Sequence, residues 1–75
     1  MATFESIRLA TVRRIAASGE AERLRVEAGL SRGDVARDIG ITETSLRRWE
    51  RGLRRPSGRA ALRYLELLAA LKGVR

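Results

Sequence analysis

Residues 31–52 of the chain read SRGDVARDIGITETSLRRWERG and contain its strongest structural signals. Ser31 followed three residues later by Asp34 is typical of a capping box at the N-terminus of a helix. Gly40 can adopt the left-handed conformation that ends a helix, and Thr42 can cap the next helix. Apolar residues recur at helical spacing around this glycine. The stretch therefore predicts two short helices joined by a turn.

The second of these helices has two unlike sides. Leu46 and Trp49 are its strongly apolar residues, and they share one side at about 100° per residue. Because a helix this short is not stable alone in water, that side must pack on a core. The other side carries threonine and arginine, at Thr44, Arg47, Arg48 and Arg51. Arginine binds guanine edges and small hydroxyls fit beside thymine, so this side suits the DNA major groove, although a solvated helix with incidental arginines has the same pattern.

The stretch resembles the helix-turn-helix of the Cro and lambdoid-repressor family, which is also named after xenobiotic response elements. The residues that carry the resemblance are Ala36, Gly40, the apolar Val35, Ile39, Ile41, Leu46 and Trp49, and the run WERG at residues 49–52. The run RVEAGLS at residues 25–31 is similar to the end of the family's first helix. The run RPS at residues 55–57, with the leucine-rich segment after it, is similar to the start of its fourth. The resemblance covers roughly residues 20–72 and implies an all-α DNA-binding domain.

The flanking segments complete the expected fold, a small all-α bundle of about five helices in a single domain, residues 1–75. Its parts are an extra N-terminal helix at residues 3–17, a first motif helix at residues 20–28, the helix-turn-helix at residues 31–52 and a C-terminal helix at residues 57–72. Thr3 and Ser57 are expected to cap the outer helices.

Apolar residues outside the helix-turn-helix predict how the other helices pack. In the N-terminal helix they lie broadly on one side, at Phe4, Ile7, Val12 and Ile15, but Arg8 and Thr11 interrupt this side and leave its packing open. In the next helix the residues expected to face inward are Ala21, Leu24 and Ala28. The C-terminal helix is apolar on more than one side. Either the N-terminal helix or a second subunit is therefore expected to cover it.

Charge is distributed unevenly along the chain. The formal net charge is +7, and residues 47–59 hold six arginines against one glutamate, whereas residues 1–30 are nearly balanced. Such a local patch favours a polyanionic partner. Fifteen of the sixteen basic residues are arginine. Arginine suits phosphate and guanine, but an excess of arginine over lysine is also typical of a GC-rich genome. The chain has no asparagine or glutamine, so the usual bidentate contacts to adenine are missing.

Composition argues against several classes of function. With no histidine and no cysteine, most nucleophilic, general-base and metal-ligand arrangements are missing, so we expect neither an enzyme nor a metal or cofactor. The longest apolar run, residues 67–71, is too short for a bilayer span, and the N-terminus does not resemble a signal peptide. We therefore expect a cytoplasmic, nucleoid-associated protein that does not bind membranes, located in the host cytoplasm if it is phage-encoded.

The resemblance also implies roles for individual residues. Base contacts are expected from Glu43, Thr44, Arg47 and Arg48. Phosphate contacts are expected from Ser31, Arg32, Arg51, Arg54, Arg55, Ser57 and Arg59. Arg25 and Glu50 are expected to form a structural ion pair, because Glu50 falls beside Leu46 and a half-buried carboxylate needs a partner.

The expected function is that of a sequence-specific transcriptional regulator of double-stranded DNA, of the phage Cro or repressor kind. One alternative is an excisionase or MerR-like protein, since TSLRRWERG also resembles the reading helix of that family. Such a fold needs a β-hairpin wing after Gly52. Another alternative is an antitoxin-type module whose last helix binds a protein. A homodimer, formed in solution or only on DNA, is expected through the C-terminal helix, at Tyr64, Leu67, Leu68 or Leu71.

Overall fold

The computed structural model describes residues 3–73, and this part of the chain contains five α-helices. They are α1 Phe4–Ala17, α2 Glu20–Glu27, α3 Arg32–Ile39, α4 Glu43–Glu50 and α5 Gly58–Gly73. The predicted all-α class and helix count are confirmed. No helix within residues 3–73 is long and apolar enough to cross a bilayer.

The predicted caps and the predicted turn of the helix-turn-helix are present in the structure. The Ser31 hydroxyl accepts a hydrogen bond from the Asp34 amide at 3.0 Å, and the Asp34 carboxylate accepts one from the Ser31 amide at 2.9 Å. Hydrogen bonding from Ser31 lowers the pKa of Asp34. Gly40 ends α3 with a φ of +84°, and Thr42 caps α4 by accepting from the Ser45 amide. Short-range capping thus fixes the length of both helices.

A single apolar core holds these two helices in place. Each helix contributes residues to it: Val12 and Ala16, Ala21, Val35, Ala36 and Ile39, Leu46 and Trp49, and Ala61, Tyr64 and Leu68. The rings of Trp49 and Tyr64 pack against each other in this core, with centroids 5.6 Å apart. Burial raises the pKa of Tyr64 far above the usual value for tyrosine. The apolar side of α4 is therefore anchored, as its sequence pattern predicted.

The N-terminal helix α1 packs on α5, α2 and α4, and part of its apolar side stays exposed. Phe4 is 82% exposed and Ile7 is 53% exposed, whereas Val12 and Ala16 are buried. Val12 and Ala16 lie on nearly the same side of α1, and Phe4 and Ile7 point away from it at about 100° per residue. The small Ala16 side chain is compatible with close approach of the neighbouring helices. Phe4 and Ile7 therefore lie outside the side of α1 that packs on the core.

The contacts of α5 leave fewer residues free to meet a second copy. Tyr64 and Leu68, two of the four residues proposed for such a contact, are 1% and 2% exposed within one chain. Leu67 and Leu71 are half-buried. Because α1 packs along α5, the apolar surface of α5 is covered largely from inside the chain. Ala28 differs from expectation too: it follows the last residue of α2 and is exposed.

Candidate nucleic-acid interface

The outer side of α4 is the centre of the candidate interface. Its predicted base-contact residues, Glu43, Thr44, Arg47 and Arg48, are all exposed. On the opposite side, Leu46 is 0% exposed and Trp49 is 5% exposed. The structure thus brings the four predicted residues together on one accessible surface of a helix that is fixed from behind.

Arginines continue beyond the end of α4. Arg51, Arg54 and Arg55 are exposed in the segment that leads to α5. The first part of this segment folds back on the helix, since the amides of Leu53 and Arg54 donate to the Arg48 carbonyl at 2.9 and 3.3 Å. Its course is therefore set by backbone hydrogen bonds.

We call the five exposed arginines of α4 and this segment the arginine ridge: Arg47, Arg48, Arg51, Arg54 and Arg55. None of them forms a salt bridge within residues 3–73. Glu43 is the one exposed carboxylate among residues 43–55. A concentration of unpaired positive charge of this kind attracts a polyanion.

The remaining predicted phosphate-contact residues lie at helix starts. Ser31 precedes α3, and Ser57 and Arg59 lie at the start of α5; all three are exposed. Gly58, with a φ of +70°, brings the chain into α5 through a left-handed residue that the sequence pattern did not predict. Arg59 lines a shallow depression with Glu5 of α1. Glu5 is therefore the acidic side chain that shares this depression with Arg59.

The predicted ion pair between Arg25 and Glu50 is present and bidentate. Arg25 donates from Nε to Glu50 Oε2 at 2.6 Å and from Nη2 to Oε1 at 3.2 Å. Its Nη1 donates to the Leu30 carbonyl at 2.8 Å. The Glu50 side chain is 0% exposed and that of Arg25 is 10% exposed. These bonds connect α2 and the turn before α3 to the C-terminal end of α4.

Arg32 has partners that its expected phosphate role did not anticipate. Its Nε donates to Glu50 Oε1 at 2.9 Å, and its Nη2 donates to Glu22 Oε2 at 3.1 Å. The hydrogen bond with Glu50 raises the pKa of Arg32. Four side chains thus form one cluster that extends from the buried Glu50 to the surface: Glu22, Arg25, Arg32 and Glu50. We call this cluster the ion network. Arg32 is therefore bonded to two carboxylates in the free protein, and its contact with phosphate stays a prediction.

A second unpredicted contact concerns Glu43. A Cβ atom placed on Gly33 of α3 would lie 3.4 Å from Cδ and Oε1 of Glu43. The Glu43 carboxylate therefore lies close to the backbone of α3 at Gly33. Gly33 and Glu43 lie in different helices, so their spacing of ten residues does not predict this contact. The contact depends on the angle between α3 and α4.

Comparison with known proteins agrees with this geometry. The chain matches the helix-turn-helix family HTH_3 over residues 22–70, more than half of its length. The matched region begins within α2, so α1 lies outside it. No curated protein and no solved structure gave a significant match. The chain belongs to the HTH_3 family of Cro/C1-type helix-turn-helix proteins and carries a DNA-binding domain of that family.

Proposed function

We propose that this protein is a sequence-specific regulator of transcription, of the phage Cro or repressor kind, which inserts α4 into the major groove. The observation that carries the proposal is the outer side of α4. It presents Glu43, Thr44, Arg47 and Arg48 to solvent, and Leu46 and Trp49 fix the helix from behind. A rigid helix with an accessible polar side is what direct readout of base edges requires.

Phosphate contacts are assigned to residues around this helix. Arg51, Arg54 and Arg55 extend the positive surface past the C-terminal end of α4. Ser31, Ser57 and Arg59 lie at helix starts, where backbone amides favour anions. Such contacts fix the position of a protein on DNA without selecting a sequence.

The excisionase or MerR-like alternative lacks support from the fold. A wing requires a β-hairpin after Gly52, whereas within residues 3–73 the chain after this glycine forms a short loop and then α5. An antitoxin-type module would use the apolar side of α5 to bind a protein. Two of its largest apolar residues, Tyr64 and Leu68, are already buried against the rest of the chain.

We also propose that two copies of the protein bind one operator. Helix-turn-helix proteins usually place two recognition helices in successive turns of the major groove, about 34 Å apart. Because α1 covers much of α5, we propose that the homodimer forms on DNA. A selected site with two half-sites about 10 base pairs apart would support this arrangement.

The proposed function is tested by selecting binding sites from random duplex DNA with the purified protein. We expect one enriched motif with G·C pairs under α4, because arginine prefers guanine and Glu43 can accept from cytosine, while adenine readers are missing. The matched control is an Arg47→Ala/Arg48→Ala protein, which should enrich no motif or a weaker one. Lack of enrichment with the wild type, or a motif made only of A·T pairs, would contradict the proposal.

A further inference from the structure

The helix α1 is tied to the segment that carries the last arginines of the arginine ridge. Nε of Arg13 donates to the carbonyl of Pro56 at 2.8 Å, across 43 positions of sequence. This hydrogen bond is partly buried, and Pro56 itself is almost fully buried. A guanidinium partly removed from water needs such a partner. The contact therefore fixes one point of the segment after α4.

The segment between α4 and Pro56 is held in place at both of its ends. At its start, the amides of Leu53 and Arg54 donate to the Arg48 carbonyl. At its end, Pro56 is packed in the protein and bonded to Arg13. Arg55 lies between these points, and both Arg54 and Arg55 are exposed. Their backbone positions thus depend on two anchors, of which one belongs to α4 and the other to α1.

We propose that α1 is part of the DNA-binding unit, in which Arg13 is a positioning residue that holds Arg54 and Arg55 in place to bind phosphate. The inference rests on the proposed function and goes beyond the family match, which excludes α1. Side chains and loops that must be ordered on binding reduce affinity, and those already fixed do not. Anchoring Pro56 lowers this ordering cost for the two arginines beside it.

The test compares two neighbouring arginines of α1. Arg13→Ala removes the hydrogen bond to Pro56, whereas Arg14→Ala removes the same charge from an exposed position. Duplex affinity is measured at a temperature where both variants are shown to be folded. We expect Arg13→Ala to weaken binding roughly fivefold to tenfold, as for loss of one charge-assisted hydrogen bond, and Arg14→Ala to change it much less. Arg13→Lys, which keeps a donor, should recover part of the loss.

A double-mutant cycle separates positioning from other roles. In a protein that already carries Arg54→Ala and Arg55→Ala, the Arg13→Ala change should have almost no further effect on affinity. If its effect stays as large as in the wild type, Arg13 binds phosphate itself or acts only on stability, and the inference is overturned. Equal effects of Arg13→Ala and Arg14→Ala would also overturn it. If the wild type binds no duplex at all, the proposed function fails first.

Discussion

Arginine occurs in two contrasting settings in this small protein. In the ion network, two arginines face two glutamates, and the distances between their charged atoms are as short as 2.6 Å. In the arginine ridge, five exposed arginines have no salt bridge within residues 3–73. The first set is electrically balanced and joins helices, while the second concentrates positive charge on one surface.

This contrast shows that the positive charge of an arginine does not by itself identify it as a DNA-binding residue. A guanidinium bonded to a buried carboxylate contributes to folding, because separating the two leaves a charge without a partner. An exposed guanidinium contributes little to folding and remains available for phosphate or guanine. Substitutions in the two sets should therefore change different quantities.

The largest effect is expected for Glu50→Ala, which leaves Arg25 and Arg32 without their shared carboxylate. Breaking one side of a buried pair costs about 3–5 kcal/mol. That is a large part of the stability of a domain this small. The free energy of unfolding is measured by urea denaturation, with Glu27→Ala on the exposed part of α2 as control.

Two outcomes of this experiment are informative. If Glu50→Ala does not fold, Glu50→Gln keeps the shape of the side chain and should give a folded protein of lower stability. A Glu50→Ala protein that unfolds at the same urea concentration as the wild type would show that the ion network does not stabilise the fold.

A smaller effect, and on a different quantity, is expected for Arg48→Ala. Its exposed side chain should matter little for unfolding, but its loss should weaken binding to the selected site by about 1–3 kcal/mol and relax one base position. Arg63→Ala, at an exposed position of α5, is the charge-matched control. Equal weakening on selected and scrambled duplexes would mean that Arg48 contacts phosphate and reads no base.

Arg32 lies between the two settings, and its substitution should have the smallest effect. Its side chain is 30% exposed, so solvent screens its ion pairs. We expect Arg32→Ala to cost on the order of 1 kcal/mol in unfolding and to leave the salt dependence of DNA binding unchanged. A slope that becomes shallower by about 0.9 would show that Arg32 neutralises a phosphate, as the sequence predicts.

What could be predicted from the sequence follows from the range of each interaction. The capping box at Ser31, the end of α3 at Gly40 and the cap at Thr42 depend on neighbouring residues, so local patterns revealed them. The inward sides of α3 and α4 followed from helical periodicity. The outer side of α4 was predictable for the same reason, since its residues are those left over when the apolar side is buried.

The features that were missed depend on how helices meet. Arg32 bonds to Glu50 across 18 positions and Arg13 to Pro56 across 43, and no local pattern encodes either contact. The buried side of α1 could not be predicted, because Arg8 and Thr11 interrupt its apolar pattern and the packing uses the small Ala16 beside Val12. The roles assigned to individual arginines on DNA remain predictions.

The most direct test of the account is the salt dependence of duplex binding. Fluorescence anisotropy with one labelled duplex, titrated between about 50 and 200 mM salt, gives the slope of log K against log salt. We predict a steep negative slope, about −0.9 for each phosphate neutralised, that Arg54→Ala/Arg55→Ala makes shallower by about 0.9 per arginine. Binding that does not change with salt, or the same slope in the double variant, would contradict the assignment of the arginine ridge to DNA.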